Sequence, residues 1–184
     1  MGFHTFDPDR AQMLEDVSRF RFCSRDELVG HLAVDRDAVV ADLGSGTGFY
    51  TDEVAPFVGT MYAVDVQPEM QELYRENGVP SNVELVTSDV ASLPFDDDHL
   101  DAVFSTMTFH EFATPDSLAE LHRVLTDGGR AVIVDWTANG TGDEGPPLDE
   151  RYGADEAADM FAAAGFDVPV AQERPDTLLV VAVA

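Results

Sequence analysis

Apolar residues gather in short runs along the chain, at 38–43, 60–64, 83–86, 100–106 and 130–136. Each run is too short for a helix and lacks strict apolar–polar alternation, as expected of strands buried on both faces. Between the runs, apolar residues recur at helical spacing. Pro68 stands near one helix start, with Met70, Leu73 and Tyr74 on one face. Thr114 and Pro115 read as a cap and first helical residue. Leu118, Leu121, Val124 and Leu125 then supply an apolar stripe, and Gly128-Gly129 are expected to stop that helix. Residues 154–164 repeat the pattern and end at Gly165. Strands alternating with helices predict an α/β fold, a mostly parallel sheet with helices on both faces.

The stretch "FDVPVAQ" carries Pro169, which has no N–H for a sheet ladder, so its strand belongs at an edge. "TLLVVAVA" is apolar at nearly every position and should be buried on both faces. A short turn at Arg174-Pro175-Asp176 joins them as an antiparallel hairpin. The chain is thus expected to turn back into the sheet, which the all-parallel dinucleotide fold does not do.

The loop "ADLGSGTGFYT" places Gly44, Gly46 and Gly48 between a strand and a helix. A triphosphate-binding loop of the Gly-Lys-Ser/Thr kind needs a lysine, and the chain has none. A dinucleotide fingerprint counted from Gly44 puts Phe49 at its third glycine, and counted from Gly46 it puts Thr51 there. Asp65 follows the second strand about 20 residues beyond the loop, where a carboxylate accepts ribose hydroxyls. Asp89, after the third strand, offers an acceptor for an exocyclic amine. An adenosine-bearing ligand without phosphates suits these residues, and S-adenosylmethionine is such a ligand.

Composition narrows the picture. The 184 residues are expected to form a single domain, 1–184, and a hydrophobic share of 45% with 25% charged is ordinary for a globular chain. The charge is not ordinary: 36 acidic residues face 10 basic ones, all arginine, for a net −26. Such a surface repels nucleic acid and anionic membranes. The acids are dispersed along the chain, as in proteins of salt-loving cytoplasms, where screening suppresses self-repulsion. Cys23 is the one cysteine, which leaves no internal disulfide. Residues 1–10 are too polar for a signal peptide, and "LLVVAVA" is far too short to span a bilayer, so a cytoplasmic location is expected.

The sequence resembles class I S-adenosylmethionine-dependent methyltransferases of the small ubiquinone/menaquinone-methyltransferase-like group, over roughly residues 3–184. "VVADLGSGTGFYT", "MYAVDVQPEM", "VELVTSDVASLPFDDDHLDAVFSTMTFHEF" and "LAELHRVLTDGGRAVIVDW" carry the resemblance in order. It implies a Rossmann-like seven-stranded sheet whose last strand is antiparallel and inserted beside the edge strand. It implies that Gly44, Ser45, Gly46 and Gly48 pass under the methionine part of the cofactor. Asp65 would take the ribose hydroxyls, Val66 would pack on adenine, and Asp89 and Val90 would bracket it. Thr106, Met107 and the residues to His110 would line the cofactor near its sulfonium, and Asp42 would orient its amino group through water. Relatives that methylate arsenic carry several cysteines; Cys23 alone sets that activity aside.

Methyl transfer from a sulfonium needs a base only when the acceptor must lose a proton. His110 is the candidate base, with Glu111 as its orienter and a rate–pH limb near the ordinary imidazole value of about 6.5. A metal site from His110, Glu111 and Asp135 has no supporting ligand spacing. Asp96-Asp97-Asp98 reads as a solvated turn and His122 as a surface residue. Residues 3–33 are expected to form an N-terminal helical cap, with "SRDE" at 24–27 a capping box. Residues 137–152, rich in Gly, Pro and Asp, are expected to be a lid. Neither segment shows an aromatic cage or basic patch, and Arg151 is expected in a surface ion pair. Covers this short favour a small-molecule methyl acceptor. The competing readings are an inactive S-adenosylmethionine-binding sensor or partner protein, and an NAD-dependent oxidoreductase, against which Phe49 and the hairpin speak.

Overall fold

The computed structural model describes residues 6–184; residues 3–5 of the expected cap lie outside the described residues. Seven strands form one sheet: β1 (Val39–Leu43), β2 (Thr60–Asp65), β3 (Val83–Thr87), β4 (Leu100–Thr106), β5 (Leu125–Trp136), β6 (Asp167–Glu173) and β7 (Thr177–Val183). Their order is β3-β2-β1-β4-β5-β7-β6. The first five run parallel, and β7 lies antiparallel between β5 and β6, as the hairpin argument predicts. Pro169 sits on the edge strand, where pairing with β7 skips from Asp167 to Val170, so its missing N–H breaks no regular rung.

Among the described residues, six α-helices cover the sheet: α1 (Arg25–Leu32), α2 (Phe49–Val54), α3 (Pro68–Asn77), α4 (Phe109–Phe112), α5 (Pro115–Val124) and α6 (Ala154–Ala163). Successive residues of each inner strand feed opposite faces. Leu178 and Val180 pack with Phe109, Leu118 and Phe161, whereas Leu179 and Val181 pack with Leu28, Tyr50 and Tyr74. Those four residues of β7 are at most 1% exposed. Burying them contributes on the order of 6–12 kcal/mol, comparable to the net stability of a whole domain, which is why this strand occupies the interior. The helix after β1 covers one face and those after β4 the other. A crevice therefore opens at the carboxyl ends of β1 and β4, the place where open α/β sheets bind ligands.

Two helix details differ from the sequence expectation. Helix α5 does start at Pro115, with the Thr114 hydroxyl accepting from the Ser117 N–H at 3.1 Å. It ends at Val124, not at Gly128-Gly129. Leu125 turns extended to pair with Leu100, and Gly128, at φ +80°, lies in an irregularity of β5 where its N–H donates to the Ala184 carbonyl. On α3, Gln71 is buried beside Met70 and Tyr74, while Leu73 is only partly covered. The Gln71 amide donates to the Ala63 carbonyl at 3.0 Å, a bond no apolar residue supplies. Asp96, Asp97 and Asp98 lie exposed, as does His122, in agreement with the sequence.

Before α1 the chain forms two short 3-10 segments, Pro8–Glu15 and Val17–Arg21. The Ser24 hydroxyl caps α1 by accepting from the Glu27 N–H, but the Glu27 carboxylate pairs with Arg174, so only half of the capping box forms. Residues 137–152 fold around Arg151, which corrects its expected surface pairing. Arg151 is 6% exposed, and its guanidinium donates to the carbonyls of Thr137, Glu144 and Pro146. Glu144 in turn forms an ion pair with Arg21, linking this loop to the N-terminal segment.

Gly48 precedes α2 at φ +92°, and a Cβ there would stand 2.2 Å from the Tyr74 ring. The backbone conformation alone costs an alanine about 1–3 kcal/mol, before the ring contact is counted. Gly48→Ala is therefore expected to lower the urea midpoint of unfolding by at least that equivalent. An unchanged midpoint would contradict this packing.

Candidate functional site

The carboxyl end of β1 passes into the glycine loop. The N–H groups of Gly44 and Ser45 both donate to the Val64 carbonyl, at 2.8 and 2.9 Å, which holds the loop against β2. A Cβ on Gly44 would lie 2.4 Å from the Thr108 side chain, so the two loops meet only because this residue has none. Asp65, 7% exposed, ends β2. Its Oδ2 accepts from the Gly46 N–H and its Oδ1 from the Gln67 N–H, both at 2.8 Å. Burial pushes its pKa up, opposed by those backbone hydrogen bonds.

Asp42, Gly44, Ser45, Gly46, Asp65, Val66, Asp89, Val90, Thr106, Met107, His110 and Glu111 all line one cavity of about 1450 Å³. The structure thus brings together twelve of the thirteen residues that the sequence nominates. Gly48 is the exception, lying outside the lining and serving the contact with Tyr74. Val66, 49% exposed, presents an apolar surface to the cavity. Asp89 is exposed and turns one oxygen to the Ala91 N–H at 2.8 Å.

Two lining residues carry buried polar atoms without a partner, Asp42 Oδ1 and Ser45 Oγ. Asp42 is 1% exposed, and its other oxygen accepts from the Thr51 hydroxyl at 2.6 Å. Burial pushes its pKa up to about 7, against the pull of that hydrogen bond and of Arg19. Orphaned polar atoms in the wall of a roomy cleft are what a polar ligand would satisfy.

Beyond β4 the chain turns at Met107, whose φ of +62° is unusual for a side-chain-bearing residue, and α4 begins. This turn delivers His110 to the end of β5. Its backbone N–H donates to Asp135 Oδ2 at 2.6 Å, and its Nδ1 lies 2.9 and 3.1 Å from the two carboxylate oxygens. The carboxylate that hydrogen-bonds the imidazole is therefore Asp135, whereas the sequence nominates Glu111. Glu111 stands on the other ring nitrogen, with Oε1 4.0 Å from Nε2. With Nδ1–H committed to Asp135, Nε2 is left as the acceptor nitrogen of a side chain only 10% exposed. Burial pulls the imidazole pKa down, but the Asp135 charge and hydrogen bond, with Glu111 and Glu150, outweigh it and hold the value above 6.5. The expected limb near 6.5 thus moves upward. Burial pushes Glu111 itself up to about 7, with His110 opposing.

Sequence reasoning considered Asp135 only as a metal ligand. Its position at the carboxyl end of the 130–136 run is the same signal that singles out Asp65. Arg10, Arg19 and Arg21 of the N-terminal segment line the cavity among more numerous carboxylates, and Arg21 is paired with Glu144. Arg19 stacks over Phe49 and Tyr50, 5.0 Å from each ring centre. Cys23 is buried, its thiol pushed up to about 12 by that burial. Among the described residues, no helix is long and apolar enough to cross a membrane.

Comparison with known proteins agrees with this geometry. Residues 41–133 match the methyltransferase-domain family. The fold superimposes on a SAM-dependent methyltransferase from Aquifex aeolicus with a TM-score of 0.88 and 31% identity, covering 97% of this chain and 99% of that one. A demethylmenaquinone methyltransferase of Clavibacter sepedonicus is 36% identical over 53% of this chain and 41% of its own length. A ubiquinone/menaquinone biosynthesis C-methyltransferase of Ectopseudomonas mendocina is 32% identical over 55% of this chain and 43% of its own. The chain spans less than half the length of these curated relatives.

The folded chain keeps Asp42 protonated at pH values where an unfolded aspartate is already ionised. The unfolded state thus binds fewer protons between about 4 and 7, and Asp42 makes stability fall with rising pH across that window. The decline amounts to at most about 4 kcal/mol. Asp42→Asn is expected to flatten it, raising urea-unfolding stability at pH 8 relative to wild type. A parallel pH–stability curve for the variant would refute the assignment.

Proposed function

The chain belongs to the class I S-adenosylmethionine-dependent methyltransferases, and we propose that it methylates a small molecule held beside His110. S-adenosylmethionine is the family's cofactor. The residues present fit it: a glycine cradle closed to side chains at Gly44, and two orphaned polar atoms in the same wall. Asp65 would receive the ribose hydroxyls, and Val66 and Val90 the adenine faces, with Asp89 at the exocyclic amine. Gly44, Ser45 and Gly46 would support the methionine part, Asp42 its amino group, and Thr106 and Met107 the region of the sulfonium. When bound, the cofactor supplies an electrophilic methyl group, whose carbon bonds to the acceptor as the carbon–sulfur bond breaks and its electron pair passes to sulfur.

The observation that carries this reading is one cavity holding both the Asp65-anchored loop and the free Nε2 of His110. Its volume of about 1450 Å³ exceeds the ~300–1000 Å³ typical of a site for one drug-sized ligand, which supports a second molecule beside the cofactor. His110 would accept a proton from an acceptor that arrives protonated, with Asp135 fixing the tautomer. The N-terminal segment to residue 33 and the 137–152 loop would be the cap and lid of a single domain. The net charge of −26 is read as adaptation to a salt-rich cytoplasm.

Three measurements test this reading. Asp65→Ala is expected to weaken calorimetric binding of S-adenosylmethionine by about 1.5–3 kcal/mol, the loss associated with hydrogen bonds to a charged group; an unchanged dissociation constant would leave Asp65 a loop anchor only. His110→Ala is expected to cut turnover about 10²–10⁴-fold with cofactor affinity kept, and the wild-type rate to rise with pH through a limb above 6.5 as the imidazole loses its proton. A flat profile there would confine His110 to the pocket wall. Thermal unfolding across a salt series should show stability rising toward molar salt, and no change would refute the solvent reading.

A further inference from the structure

We propose that the methyl acceptor is a small amine that arrives as a cation, its ammonium group received by Glu111 and its proton taken by His110. The inference rests on the methyl-transfer reading and adds the chemical class of the second molecule.

Glu111 is the starting observation. Its side chain is 19% exposed and lines the cavity, and its nearest recorded polar contact is His110 Nε2, 4.0 Å away. No hydrogen bond engages its carboxyl group among the described side chains, whereas Asp65 accepts from the N–H groups of Gly46 and Gln67, and Asp135 from those of His110 and Trp136 and from the His110 ring. Burial has already pushed its pKa up to about 7, so a cation is what its carboxylate lacks. The second observation is independent: Nε2 of His110, on a side chain nine-tenths buried, also faces this space without a hydrogen-bond partner. A partly buried carboxylate and a basic nitrogen about 4 Å apart form a pair of acceptors, and an ammonium group is a multiple donor.

Charge decides between acceptors. Glu150 acts on His110 as a third carboxylate, and it lines the cavity with Glu111. A hydroxyl acceptor would become an oxyanion beside these like charges, which is costly. An amine reverses the sign, since a cation enters and a neutral nitrogen remains once its proton has passed to Nε2. The cavity's guanidinium groups are engaged in the N-terminal segment and its neighbours: Arg21 is paired with Glu144, Arg19 lies over Phe49 and Tyr50 at the start of α2, and Arg10 lies over the Phe6 ring. Nearby walls are apolar, from Phe22, Trp136, Phe112, Pro146 and Pro147, with the Phe22 and Trp136 rings 4.7 Å apart. They suit an aromatic or aliphatic body on the amine.

The test is calorimetric titration of the full chain saturated with S-adenosylhomocysteine, using benzylamine and 2-phenylethylamine against benzyl alcohol and 2-phenylethanol. Each amine is expected to bind about tenfold or more tightly than its alcohol, and Glu111→Gln to abolish the preference. Equal or stronger alcohol binding, absence of amine binding, or a preference that survives Glu111→Gln would overturn the proposal. The wild-type comparison stands alone if the variant fails to fold. Failure of S-adenosylhomocysteine itself to bind would instead strike the methyl-transfer reading, so the two failures are distinct.

Discussion

The Asp65 carboxylate sits at the end of β2 with one oxygen on the Gly46 N–H and the other on the Gln67 N–H. Those two bonds tie the loop after β1 to the turn that launches α3. Without them, two part-buried backbone donors at the mouth of the crevice would lose their partners, at up to about 1–3 kcal/mol each. The glycine loop, the exposed Val66 and the Tyr74 ring beneath Gly48 are all positioned relative to this carboxylate. An acceptor with four lone-pair sites that spends two on the backbone still has two for a ligand. One residue therefore both shapes the cradle and addresses its occupant.

The opposite wall follows the same economy with a different partner. Asp135, 1% exposed, takes a backbone N–H from His110, a ring nitrogen from the same residue, and the Trp136 N–H. Its charge offsets the burial that would otherwise depress the imidazole pKa. At Asp42 the pull of Thr51 and Arg19, and at Glu111 that of His110, is outweighed by burial, and both are pushed up to about 7. Asp65 and, behind His110, Asp135 are thus held by backbone donors, whereas Asp42 and Glu111 on the cavity wall are poised to change charge near neutrality, a pattern characteristic of functional clefts.

Much of this was legible in the chain because it rests on local chemistry. Pro169 and the unbroken apolar run after it dictate an edge strand followed by an interior one, whatever the rest of the fold. The Thr114-Pro115 cap and the alternating glycines are equally self-contained. What escaped depends on contacts made only in the folded chain. Val124 ends α5 because Leu125 is claimed by Leu100, a pairing no helix signal reveals. Gln71 is buried because carbonyls of β2 require a donor. Asp135 orients His110 only because the Met107 turn and the end of β5 converge, and Arg151 is enclosed by carbonyls of its own loop. Each miss is a tertiary demand that outweighs a local preference.

The insertion of β7 has a consequence for the chain before it is complete. Strand β5 is an interior strand only while β7 pairs with it along Arg130 to Trp136. In any state where the β6–β7 hairpin has not docked, β5 presents a long row of bare N–H and C=O groups flanked by Ala131, Val132, Ile133 and Val134. Such an edge is a template for intermolecular strand pairing. Losing the hairpin would therefore not simply shorten the sheet; it would convert a buried interior strand into an adhesive margin, so that solubility, and not stability alone, depends on the hairpin.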